Sequence, residues 1–349
     1  MFKAGKRSIG HGHPVFIVAE ISGNHNGDIK RALAIIDAAA DAGADAVKLQ
    51  TYTADTVTID SDLPYFKIKS KNKEWRGKTL YQLYTWAHTP WEWHKELFAH
   101  ARKRGLLCFS TPFDETAVDF LEKLKVPAYK VASFEIVDIP LLERIGRTKK
   151  PVIMSRGMAT LDEIRLAMRT LKKAGTKDIV LLHCVSAYPA KPEEMNIATI
   201  PDLAKRFNIS VGLSDHTLSN DVAVAAVALG ARIIEKHLTL SRADGGSDAS
   251  FSLEPQEFKR LVASVREVER AIGRPSYKRS KGESENIIFR RSLFVVKDIK
   301  KGEKFTKKNV RSIRPGNGLP PKLYPSVLGK RAVKNIKRAT PLSRRLITR

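Results

Sequence analysis

Eight short runs rich in apolar and β-branched residues recur along the first 273 residues, at 15–21, 45–51, 106–112, 128–133, 151–155, 179–186, 210–216 and 232–240. Each is followed by sequence of helical period, and that alternation is the strongest constraint on the fold. Runs this short and this continuously apolar suit parallel strands covered on both faces. Between them, 29–42 carries Leu33, Ile36 and Ala40 and stops at Gly43. Residues 160–174 open on a capping box, Thr160 to Glu163, and stop at Gly175. Segments 115–124, 222–229 and 258–272 read the same way. Eight strand-then-helix units predict an α/β fold, a (β/α)8 TIM barrel. An open doubly wound sheet ranks lower, because no Gly-x-Gly-x-x-Gly turn follows a strand. The long interval 52–94, rich in Trp, Tyr and Lys, is expected to arch over the barrel mouth.

In such barrels the chemistry sits where the strands end. Here those ends are polar. The first ends in Glu20, the second in Lys48 and Gln50, which share a face by the period of two. The third ends in Ser110 and Thr111. The fourth carries Lys130, then Ser133 and Glu135, and the fifth ends in Ser155 and Arg156. The sixth supplies His183, Ser186 and Tyr188, the seventh Ser214, Asp215 and His216, and the eighth Glu235, Lys236 and His237. A single Lys or His in a strand is usually a surface residue or a satisfied core group. The set carries the inference, because a buried charge costs several kcal/mol unless it is paired or bound to ligand. Two lysines with the hydroxyls of Ser110, Thr111, Ser133, Ser155 and Ser214 suit a small, strongly anionic ligand such as a phosphate or phospho-carboxylate. His216 and His237, near the ends of adjacent strands, suit a divalent ion, although a 21-residue spacing is no metal motif. Two barrel-lining histidines are an equal reading. Glu20 and Glu235 are candidates for general acid-base work.

The formal charge is +25, from 62 Lys and Arg against 37 Asp and Glu, and it is unevenly placed. Residues 290–349 hold 19 basic and 2 acidic side chains. The break at Gly273-Arg274-Pro275-Ser276, followed by a polar run, reads as a linker. The expected organisation is a barrel at 1–273, a linker at 274–289 and a small basic domain at 290–349. That domain lacks a zinc-ligand set, and its only aromatics are Phe294, Phe305 and Tyr324. A solvated basic surface is the plainer reading, so no nucleic-acid partner is expected. Two cysteines, Cys108 and Cys184, are too few for a disulfide scaffold. No apolar stretch approaches the roughly 18 residues of a membrane span, and the first 14 residues lack the apolar core of a secretory signal. No membrane partner and a cytoplasmic location are therefore expected.

The runs FIVAEISGNHNGD, GADAVKLQTYT, AYKVASFEI, LLHCVSAYP, VGLSDHT and EKHLTL, in this order, resemble the sialic acid synthase family. The tail, from RRSLFVVKDIKKGEKF to LGKRAVKNIKRATPL, resembles that family's antifreeze-like (SAF) domain. The resemblance implies condensation of phosphoenolpyruvate with an N-acetylated amino sugar in its open aldehyde form, giving a nine-carbon 2-keto acid and phosphate. It implies a manganese or magnesium ion on His216 and His237, with Glu20 handling the proton or water beside it. Lys48, Thr111, Lys130, Ser133, Ser155, Ser186 and Ser214 would bind phosphoenolpyruvate. Gln50, Glu135, Tyr188 and Asp248 would contact the sugar. Arg314 would reach from one copy of a domain-swapped homodimer into the other copy's barrel. Ser133-Phe134-Glu135-Ile136 and the Trp-rich stretch 86–94 are most similar to the pseudaminic acid branch, whose acceptor is 2,4-diacetamido-2,4,6-trideoxy-L-altrose. N-acetylneuraminate- or legionaminate-type acceptors are the alternative. Arg156 stands where the family has Thr, and Leu238 where it has Phe. A barrel aldolase forming a Schiff base on Lys130 or Lys48 is the competing enzyme reading.

Overall fold

The computed structural model describes residues 2–5, 7–70 and 72–348, with side chains from Gly5 onward. It divides into two compact units, Met1–Gly273 and Arg274–Arg349.

The first unit opens on an antiparallel hairpin, β1 (Phe2–Ala4) and β2 (Arg7–Ile9). Eight strands follow: β3 (Phe16–Glu20), β4 (Ala46–Thr51), β5 (Leu107–Pro112), β6 (Tyr129–Val131), β7 (Val152–Ser155), β8 (Ile179–Cys184), β9 (Val211–Asp215) and β10 (Ile233–His237). They are parallel and pair in chain order, and β10 returns to β3 with His237 opposite Glu20, so the sheet closes. This is the expected barrel. Local sequence sets its helices as expected too. The helix Ile29–Ala42 starts where the Asp28 carboxylate accepts from the Lys30 N–H and stops where Gly43 turns left-handed at φ 86°. The helix Leu161–Ala174 is capped by the reciprocal Thr160–Glu163 box.

Alternation along each strand splits the buried residues into two layers. Ile17, Val47, Val131 and Leu213 pack outward beneath the helices. Phe16, Val18, Phe109, Ile153, Leu182 and Ile233 point inward and fill the lower barrel. This inner layer is tight. A Cβ at Gly212 would lie 2.5 Å from the Ile233 carbonyl oxygen and 2.6 Å from Leu182. Ile9, fully buried, joins the inner cluster, so the hairpin seals the N-terminal end of the barrel. Nothing in the composition of the first 14 residues announced that role.

The linker region holds a short exposed helix, Lys281–Glu285. Beyond it, β11 (Ser292–Val295) and β12 (Val310–Ile313) pair antiparallel. Leu293, Val295, Phe305, Val310, Ile336 and Leu342 form a separate core. Its surface carries the basic surplus, with Lys300, Lys304, Lys308 and Arg311 among the exposed side chains. No described helix is long and apolar enough to cross a membrane.

Removing the plug tests its contribution. Ile9→Ala should lower stability by about 2–5 kcal/mol, as large-to-small changes at fully buried sites do. Urea unfolding measures this, and an unchanged midpoint would show that the hairpin does not support the barrel.

Candidate active site

Strand parity sorts the polar strand-end residues. Glu20, Lys48, Gln50, Thr111, Lys130, Ser155, Ser214, Glu235 and His237 share the parity of the inner layer and stand above it. Ser110, His183, Asp215 and Lys236 have the opposite parity and lie outside the barrel wall. That corrects the grouping expected from sequence for these four. The Ser110 hydroxyl sits 2.7 Å from Thr51 Oγ1, which lies 2.8 Å from His94 Nε2, so it belongs to the helix-facing layer. Lys236, fully buried, donates to the Asp215 carboxylate at 2.5 Å and to the Thr217 and Ser219 carbonyls at 2.6 and 2.9 Å. It thereby shapes the turn that carries His216. Arg156 also turns outward. Its guanidinium donates to His183 Nδ1 at 3.0–3.1 Å, so it does not crowd the hydroxyl of Ser155.

The inward charges form one buried cluster. Lys48 Nζ lies 2.5 Å from a Glu20 oxygen and 3.5 Å from a Glu235 oxygen, and donates to Thr111 Oγ1 at 3.2 Å. Lys130 Nζ donates to Ser155 Oγ at 2.7 Å and lies 4.0 Å from Glu235. Ser214 donates to the same Glu235 oxygen at 3.2 Å, while the other Glu235 oxygen is buried with no hydrogen-bond partner among the described residues. Gln50 and the Ser22 N–H donate to Glu20 at 3.1 Å. The two carboxyls are driven apart. Burial raises Glu20, outweighing the pull of Lys48, and the charge on Glu235 adds to the rise. Burial also opposes ionisation of Glu235, but Lys130 and Lys48 together hold it below its ordinary range. Lys48 and Lys130 thus converge on Glu235; burial lowers Lys130 against the pull of that carboxylate, so an anion placed here would favour its charged form.

Beside it lie His216 and His237, their ring centroids 5.4 Å apart. His216 Nδ1 donates to the Val185 carbonyl at 2.9 Å. His237 Nδ1 lies 3.2 Å from Ser22 Oγ, and Ser22 in turn hydrogen-bonds Asp248. With both Nδ1 atoms engaged, each ring keeps Nε2 as its free donor atom, the usual arrangement for an oriented imidazole ligand. Burial and the neighbouring His216, Lys48 and Lys236 push His237 far down, so its ring is neutral. These residues fit a divalent ion held by two imidazoles. Among the described residues no cluster of three His, Cys, Asp or Glu forms a ready-made cage, so water and substrate would complete the coordination.

Above the charges is a cavity of about 630 Å³. Gln50, Ser186, Tyr188, His237 and Asp248 line it, together with Ile68, Leu80 and Tyr84 from the long interval after β4, which thus arches over the mouth. Trp75 ties that interval down by donating to the Ser247 carbonyl at 2.7 Å. Ser133 and Ser186 converge on Gly157, where φ is +43° and a Cβ would stand 2.3 Å from the Ser133 Cβ. Arg314 lies on the second unit, exposed and with no ion-pair partner among the described residues. Sequence reasoning missed Ser22, Cys184 and Phe251. Phe251 packs on His237 at 5.0 Å between ring centroids. Cys184 lies 3.9 Å from His216 Nδ1 and accepts from Ser133. Its inward position, two residues after Leu182, is set by the closed sheet, and no sequence signal marked it.

Residues 35–277 match the model of the NeuB family, and residues 290–344 match the SAF domain. The chain is 46% identical over 323 residues to a pseudaminic acid synthase of Campylobacter jejuni, covering 93% of this chain and 94% of that protein. It is 42% identical to an N,N'-diacetyllegionaminic acid synthase of the same species, over 92% of this chain and 96% of the relative. Among solved structures it resembles an N-acetylneuraminic acid synthetase from Leptospira borgpetersenii in complex with citrate. That likeness has a TM-score of 0.72 and 35% identity, and covers 82% of this chain and 94% of the other.

Glu135 offers a test of the electrostatics. Its Oε2 is buried without a partner, and burial raises its pKa to about 7. The neutral form supports the fold at low pH, and that support is lost as pH rises through about 7. Glu135→Gln should therefore gain stability relative to the parent between pH 5 and pH 8 in urea unfolding. A difference independent of pH would show that Glu135 titrates normally.

Proposed function

Because this chain belongs to the NeuB family, we propose that it is a pseudaminic acid synthase. It joins the methylene carbon of phosphoenolpyruvate to the carbonyl carbon of 2,4-diacetamido-2,4,6-trideoxy-L-altrose, consumes one water and releases phosphate with a nine-carbon 2-keto acid. The observation that carries this reading is the buried Lys48–Lys130 pocket set directly beside the paired imidazoles beneath one cavity.

Lys48 and Lys130 balance the charge of phosphoenolpyruvate, and the hydroxyls of Thr111, Ser133, Ser155, Ser186 and Ser214 orient its phosphate and carboxylate. Glu235 holds the two ammonium groups at fixed separation in the free enzyme. Glu20, with its raised pKa, can hold or release a proton near neutrality at the cluster's edge. Gln50, Tyr188 and Asp248 face the cavity that receives the sugar, and Glu135, next to the lining residue Phe134, would contact the sugar. His216 and His237 would hold manganese or magnesium through Nε2, and that ion would supply Lewis-acid polarisation of the sugar aldehyde. The apolar surfaces of Ile68, Leu80 and Tyr84 suit a deoxy sugar with two acetamido groups. An N-acetylneuraminate- or legionaminate-type acceptor is the second reading, favoured by the 42% identity to the legionaminic relative. Arg314 of a second copy, in a domain-swapped homodimer, would bind the sugar's N-acetyl group.

A phosphate-release assay with phosphoenolpyruvate and three acceptors decides between the readings. The L-altro sugar should turn over fastest, ahead of N-acetylmannosamine and the gluco-type diacetamido-trideoxy sugar. Preference for either of the others would replace the proposed acceptor. In the same assay His216→Ala and His237→Ala should each abolish phosphate release, and normal turnover in either would exclude the two-histidine site. Arg314→Ala should raise KM for the sugar several-fold with little change in KM for phosphoenolpyruvate. Equal kinetics, or a monomer by light scattering, would rule out its proposed role.

A further inference from the structure

At the opposite end of the barrel from this site, the starts of β8, β9 and β10 surround a second cavity of about 580 Å³. Its polar lining is lopsided. Lys172, Lys177 and Arg232 face it with a single acid, Asp178, and none of the three cations forms an ion pair among the described residues. Arg232 is half-buried. Its Nη2 donates to His11 Nδ1 at 3.2 Å, while its Nε is shielded from solvent and has no hydrogen-bond partner among the described residues. A shielded guanidinium N–H without an acceptor is costly, and an anion would satisfy it with a charge-assisted bond.

The rest of the lining is mixed: Ile9, Ile179, Ile209 and Val211 are aliphatic, while His11, Asn208 and Ser210 are polar. The hairpin wall is close-fitting: a Cβ at Gly10 would lie 3.1 Å from Ser210 Oγ. Phosphate alone would leave most of this space empty, whereas the volume falls within the roughly 300–1,000 Å³ of small-ligand pockets. Three cations together with aliphatic and hydrogen-bonding side chains call for a ligand with an anionic head and a flat, partly polar body. Such polarity is out of place on the face of a barrel that ordinarily serves stability alone.

We propose that this cavity is a second ligand site, specific for nucleoside phosphates. Lys172, Lys177 and Arg232 take the phosphate, and the isoleucine wall takes the base. The strands beneath it carry Cys184, Ser214, Glu235 and His237 toward their other ends, so an occupant would bear on the same three strands that build much of the active site.

Calorimetry on the full chain at low salt, with saturating phosphoenolpyruvate to occupy the active site, tests this. Adenosine and cytidine monophosphates are the probes, with adenosine and inorganic phosphate as controls. Saturable binding of a nucleotide, at one site per chain and at least about tenfold tighter than either control, is expected. Arg232→Met should weaken it about tenfold or more. A Lys172→Met/Lys177→Met double variant, at exposed positions that leave the core untouched, should do the same. Absence of binding at millimolar nucleotide, phosphate binding as tight as nucleotide, or full affinity in the double lysine variant would each overturn the proposal.

Discussion

The contact on which the rest depends is the ion cluster that joins Lys48 and Lys130 to Glu20 and Glu235 inside the barrel mouth. Any one of these groups alone would be too costly to bury. Together, with hydroxyls from Thr111, Ser155 and Ser214, they make a polar layer on top of an apolar one. Burial raises Glu20 and lowers Lys130, while Lys130 and Lys48 keep Glu235 below its ordinary range. The free protein thus holds two lysines and their hydroxyl neighbours fixed in advance where an anionic substrate would meet them.

That layer can exist only because the scaffold is rigid around it. Phe109, Ile153 and Leu182 fill the space beneath, Gly212 lets β9 approach, and Ile9 closes the floor. Outside the wall, Lys236 binds the Asp215 carboxylate and two carbonyls of the next turn. It is as deeply buried as any lysine of the site, yet it acts by holding the backbone that presents His216. Ser22 does similar work for His237, linking its Nδ1 to Asp248. Supporting residues of this kind orient an imidazole as surely as a covalent constraint would.

The +25 charge that first suggests a polyanion partner resolves into three places. Most of it decorates the exterior of the small C-terminal unit, around a core that needs none of it. A little is concentrated where it counts, at Lys48 and Lys130. The remainder includes Lys172, Lys177 and Arg232 at the floor of the barrel, where three cations meet a single acid, Asp178.

Much was legible in the sequence. Eight apolar runs, their spacing, the Thr160–Glu163 box and the glycine stops determined the barrel and its helices, because these are local signals of period and capping. The polar strand ends located the site. Parity was not legible. Parallel strands buried on both faces carry no alternation of apolar and polar residues, so nothing in the run Arg232–Leu240 distinguishes Glu235 and His237 from Lys236. Only the closed sheet assigns each side chain to the inside or to the helix layer. It also decides that Arg156 turns to His183, that Cys184 neighbours His216, and that the first residues form a floor. Those outcomes depend on partners from different elements of the chain, and only packing brings them together.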